Sequence, residues 1–126
     1  MSIEKPHPEE LLPLTPAVFH ILLALADEDR HGYAIMQLVE EMTGGKMQMG
    51  PGTLYGSIKR MLGAGLIEEA DERPDPTLDD SRRRYYRLTD FGQRVLAAEV
   101  ERMAHLVEVA RHKDLPGTAS EQGAAP

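Results

Sequence analysis

The chain has 126 residues, 41% of them hydrophobic, with 14 Lys and Arg against 21 Asp and Glu, a formal net charge of −7 and no cysteine. That length suits one domain with a modest core. The missing cysteines exclude disulfides, thiol nucleophiles and thiolate metal sites, which fits the cytoplasm, and the acidic balance argues against indiscriminate nucleic-acid binding.

Residues 1–13 are polar and hold three prolines, so they read as a flexible arm. The longest apolar run, AVFHILLALA at 17–26, is too short to span a bilayer. Glu4, Glu9 and Glu10 precede it where a secretory signal needs cations, so no membrane partner is expected. It reads as a core helix with Thr15 as N-cap and Pro16 in the first helical position. Phe19 and Leu22 belong to a helix with almost no polar face, which must be covered on two sides. One side is its own domain; the other fits a second subunit.

DEDRHG breaks that helix, and YAIMQLVEEM starts another after Gly32. Its Ile35, Leu38, Val39 and Met42 repeat on one helical face. Met47–Met49 reads as a short strand and GPG as a turn. A third helix is predicted from about Thr53 to Ala64, with Leu54, Ile58, Met61 and Leu62 as its buried stripe. Thr53, Gly56, Lys59, Arg60 and Gly63 face the other way, with Tyr55 at the flank. That face is small and cationic, suited to a phosphate backbone. Its glycines do not match a dinucleotide fingerprint, and no strand–helix nucleotide unit surrounds them.

LIEEADE and RRRYYRL read as two strands of a ribbon joined by RPDPTLDDS. Arg82, Arg84, Tyr86 and Leu88 share one face of the second strand; Arg83, Tyr85 and Arg87 share the other. Leu88 and one tyrosine should anchor the ribbon. The arginines toward Arg82 should project beyond the core to meet phosphate or a minor groove. Between Lys59 and Arg87, seven cations are balanced by seven anions. At least one arginine is therefore expected to pair across the ribbon, to Glu68–Glu72 on the facing strand.

Thr89 caps a last helix, expected from about Asp90 to Asp114. Leu96, Val100, Met103 and Val107 form a heptad seam that Leu106 widens. Burying that seam against a second chain completes a homodimer with Phe19 and Leu22; packing against the chain's own first helix is the other reading, and the two are compatible. Residues 115–126 read as a disordered tail. The order of helix, helix, helix, ribbon, helix is mainly α with a small β-ribbon: a winged helix-turn-helix over 14–88 plus a dimerisation helix over 89–114.

The five histidines show no close metal-ligand pair, and no spacing suggests a catalytic set. No enzyme, metal or cofactor is expected. Two functions compete on the residues alone. One is a dimeric DNA-binding protein; the other is a winged-helix interaction module whose arginine ribbon holds an acidic partner.

HGYAIMQLVEE, GPGTLYGSIKRMLGAGLIEE and RRRYYRLTDFG together resemble the PadR family of transcriptional regulators over about Leu14 to Asp114. The single short C-terminal helix resembles the compact subgroup. The resemblance implies a dimeric winged-helix repressor of a pseudo-palindromic double-stranded operator, released by a small hydrophobic or phenolic effector. It also implies that Thr53, Tyr55 and Lys59 lie on the recognition helix, that Tyr55 reaches a phosphate, and that Arg82, Arg83 and Arg84 belong to the wing. Leu62 departs from the family, where an acidic residue is common. The absence of Trp argues against a tryptophan-stacked drug pore.

Overall fold

In the computed structural model, which describes residues 6–70 and 84–117, Thr15 opens the first helix as its chemistry dictates. Its hydroxyl accepts the Val18 N–H at 3.2 Å, and Pro16 takes the first helical position. Helix α1 spans Pro16–Ala24, α2 Gly32–Met42, α3 Pro51–Gly63 and α4 Asp90–Arg111. Strands β1 (Arg30–His31), β2 (Ile67–Ala70) and β3 (Tyr85–Leu88) form an antiparallel sheet in the order β1-β3-β2. The fold is a winged helix followed by one long helix.

The core lies between α1, α2, α3, the sheet and the first half of α4. Ile21, Leu22, Ile35, Val39, Leu54 and Val95 are fully buried there, and Tyr86 and Leu88 seal its sheet side. Each such aliphatic side chain contributes on the order of 1.5–3 kcal/mol by leaving water. Tyr86 is thus the tyrosine that anchors the ribbon beside Leu88.

Several expectations are corrected. Met47–Met49 is not a strand, and none of the described strands pairs with it. The Met47 N–H instead donates to the Thr43 hydroxyl at 3.0 Å. The third strand is Arg30–His31, whose residues pair with Tyr86 and Tyr85. Helix α3 starts two residues before Thr53, at Pro51, since proline's missing N–H costs nothing there. Ser57, fully buried, takes the place in the buried stripe expected for Leu62, which is only half-buried. Helix α4 ends at Arg111 rather than Asp114.

In its described part, the arm expected over 1–13 packs on the fold. Pro8–Leu11 forms a 3-10 turn against α4, and Leu11 and Leu12 pack on the core. Glu99 of α4, 2% exposed, fastens the segment by accepting the Leu14 N–H at 2.8 Å and a hydrogen bond from Arg102 Nε. The Arg102 hydrogen bond holds the Glu99 carboxyl below its ordinary range; burial pushes the other way, and the Leu14 amide adds to the lowering.

A carboxylate with a lowered folded pKa stabilises above its unfolded pKa, about 4.3. That contribution is lost as pH falls through the folded value. Glu99→Gln should therefore cost roughly 1–2 kcal/mol near neutral pH. The gap to wild type should close below about pH 4. Urea midpoints for both proteins from pH 7 to pH 3 check this; a gap constant with pH would show that the Glu99 charge stabilises nothing.

Candidate nucleic-acid interface

The outward side of α3 is set by helical phase. Leu54, Ser57, Ile58 and Met61 point into the core. At about 100° per residue, the opposite line runs through Gly52, Gly56, Lys59 and Gly63. Lys59 is the one long side chain on that line. It is exposed and has no carboxylate partner among the described residues. The glycines leave the helix backbone open to close approach by something large. At the N-terminus, Gly50 caps without a side-chain hydrogen bond. The amides of the first turn keep the capacity to bind an anion.

Thr53 and Arg60 lie on one flank of that line and Tyr55 on the other. Thr53 is exposed. The exposed Arg60 donates from Nη2 to the Ser57 hydroxyl at 3.3 Å and lies back along the helix beside Gly56. Tyr55 is half-buried over the first turn of α2. A Cβ placed on Gly32 would lie 2.5 Å from its hydroxyl, so any larger residue there must push the Tyr55 ring aside.

The first turn of α2 contributes a second polar edge. His31 caps it, with Nδ1 accepting the Ala34 N–H at 3.1 Å. The cap requires the proton of neutral His31 to sit on Nε2. The exposed Tyr33 stacks on the His31 ring at 6.5 Å, and Tyr85 of β3 meets it edge-on at 5.3 Å. Sequence reasoning passed over His31 and Tyr33. A polar residue just before the amphipathic run, at N-cap spacing, was the available signal.

On the ribbon, Arg87 faces Glu68 across the strands at 3.0 Å, in register. Arg84 reaches Glu69 at 3.6 Å, on the diagonal. Cross-strand pairing therefore occurs as expected. All four side chains are about half exposed or more, so each pair is worth at most about 1 kcal/mol. Arg84 can exchange Glu69 for a phosphate at small cost. Arg82 and Arg83 lie outside the described residues. Burial raises the pKa of the Tyr86 phenol, with Glu69 and Tyr55 adding to it, so it stays neutral.

The seam of α4 divides at its middle. Leu22 is fully buried and Leu96 nearly so, within the chain's own core. Both pack chiefly inside their own chain, so they offer a partner little surface. Val100, Leu106 and Val107 are 42%, 50% and 49% exposed, while Met103 and Phe19 are half-buried. Among the described residues no group of three His, Asp or Glu is placed to hold a metal ion, and no helix is long and apolar enough to cross a membrane.

Residues 21–98 match the family model described as the transcriptional regulator PadR-like family. The chain is similar to an uncharacterised 37.1 kDa protein in transposon Tn4556 of Streptomyces fradiae, 36% identical over 68% of this chain. It spans about a fifth of that protein, 22% of its length. The crystal structure of a PadR family transcription regulator from Clostridium difficile is 26% identical, with a TM-score of 0.64 over 78% of this chain and 97% of that one. Bacillus subtilis PadR, solved in complex with operator DNA, shares the fold at 22% identity and a TM-score of 0.59, over 70% of this chain and 47% of that one.

Proposed function

Since the chain belongs to the transcriptional regulator PadR-like family, we propose that it is a homodimeric, sequence-specific repressor that binds double-stranded DNA at a pseudo-palindromic operator. The observation that carries the reading is the outward line of α3: an exposed Lys59 among glycines, with no carboxylate partner among the described residues, beside a helix N-terminus that no side chain caps. In this reading α3 enters a major groove, and Thr53, Tyr55, Lys59 and Arg60 meet bases and phosphates. Arg82, Arg83 and Arg84 track the backbone from the wing. The likeness to a protein solved on its operator supports this. Residues 14–88 hold the DNA and 89–114 the second subunit, and half-sites lie about 10 bp or a multiple apart. A small hydrophobic or phenolic effector releases the operator. The protein works where the DNA is, in the cytoplasm, without catalysis.

Footprinting on the DNA upstream of its own gene supplies an operator fragment, and salt titrations on operator and random DNA then separate the roles. Lys59→Ala should cost about 1–3 kcal/mol on the operator and less on random DNA, as a base contact does. Arg84→Ala should weaken both alike and lower the salt slope by about 1 per subunit, as a phosphate contact does. A wild type that binds operator and random DNA equally at every salt concentration overturns the reading in favour of an acidic protein partner.

A further inference from the structure

A groove of about 210 Å³ lies between the N-terminal segment, α1 and α3. Its walls are apolar: Leu11, Leu14 and Val18 from the first two, and Met61, Ala64 and Leu66 from α3 and the turn after it. Arg60 is the one charged residue in its lining. That guanidinium has only the neutral Ser57 hydroxyl and no carboxylate among the described residues. An exposed cation edging an apolar trough is half of a recognition pair. Its complement is a molecule with one anionic end and a compact apolar body.

We propose that this groove binds a small amphipathic monocarboxylate, with Arg60 clamping the carboxylate, and that the bound acid withdraws Arg60 from DNA. The second half rests on the DNA-binding reading above; the first does not. One guanidinium matches one carboxylate through two parallel hydrogen bonds. A phosphomonoester would bring a second negative charge, and no second cation lines the groove. Thr15 accepts the Val18 N–H with its hydroxyl oxygen and keeps its own proton to donate. The Leu14 amide is already committed to Glu99. The groove is smaller than the roughly 300–1,000 Å³ of a drug-sized site, so the ligand is a short one.

The competition follows from where Arg60 lies. Its guanidinium rests beside Gly56 on the outward side of α3, yet the same side chain edges the groove. A carboxylate in the groove and a phosphate on the outward face both claim it.

The test uses the full chain, with octanoate as probe and 1-octanol as its uncharged counterpart, read by amide chemical shifts. Octanoate should shift Val18, Met61, Ala64 and Leu66 and bind more tightly than octanol. Arg60→Gln should weaken octanoate about ten-fold, the value of a charged hydrogen bond, and leave octanol unchanged. Ala64→Phe, at an exposed position on the groove wall, should abolish both while the melting temperature holds. Shifts confined to the α4 seam, equal affinity for acid and alcohol, or an unchanged Arg60→Gln each overturn the site. On DNA at constant ionic strength, octanoate should weaken wild type and spare Arg60→Gln. Octanoate bound in the groove of a protein that stays equally tight on DNA overturns the competition. A protein that binds octanoate but no DNA overturns the repressor reading and leaves the site standing.

Discussion

Gly92→Ala is expected to cost at least about 3 kcal/mol of folding stability and to lower the melting temperature by more than about 10 °C. A Cβ on Gly92 would lie 1.9 Å from the Leu66 carbonyl oxygen and 2.9 Å from its carbon. That oxygen belongs to backbone with no freedom to retreat. It accepts the Thr89 N–H at 3.1 Å, the Thr89 hydroxyl donates to the Gly65 carbonyl, and the Gly92 N–H returns to that hydroxyl at 2.9 Å. Gly65 itself stands at φ +76°, the left-handed turn that ends α3. Turn and helix start are thus one interlocked unit, and an added methyl must push α4 off the sheet. Gly63→Ala is the control. Nothing lies within 4 Å of its Cβ position, so alanine there should be neutral or up to about 1 kcal/mol stabilising. A Gly92→Ala protein with wild-type urea and thermal midpoints would mean that α4 does not sit this close.

That unit also shows what the sequence disclosed. Thr89 was readable as an N-cap, because a hydroxyl before an apolar periodicity has one common use. The need for glycine at position 92 was not derivable from spacing; it depends on the Leu66 carbonyl, which tertiary packing brings there. The four helices were legible from the periodicity or density of their apolar residues and from the Thr15, Pro16, Gly65 and Thr89 punctuation. The strand at Arg30–His31 was not, because two residues carry no periodicity and owe their state to Tyr85 and Tyr86. Glu99 was hidden for a similar reason. A glutamate between Ala98 and Val100 looks like solvated surface until the N-terminal segment crosses it. On the candidate interface, Lys59 and Thr53 followed from helical phase alone. Arg60 is placed at the flank by the same phase, but its edge on an apolar groove depends on Leu11 and Leu14, far away in sequence.

Val100→Glu combined with Val107→Glu should convert the protein from dimer to monomer in sedimentation at micromolar concentration, with the fold intact. Both valines are nearly half exposed in the single chain, so glutamate there costs the subunit little. Their helix runs on past Glu99, beyond the last of its buried residues. A stretch bearing Val100, Leu106, Val107 and Val109, all exposed, has no core of its own to cover. Burying it against a second copy removes that apolar surface from water, and burying four glutamates in the same place is strongly unfavourable. The consequence for DNA is larger than for stability. In the proposed dimer, two linked recognition helices would engage two half-sites with an effective concentration in the millimolar range. A monomer loses the second site and should bind the operator about 10²–10⁴-fold more weakly. Random DNA should suffer less, since its binding is dominated by phosphate charge. The double substitution thus separates avidity from folding: circular dichroism and melting should stay near wild type while mass and operator affinity fall together. A wild type that sediments as a monomer, or a variant that remains dimeric on the operator, would move the subunit contact away from the distal half of α4.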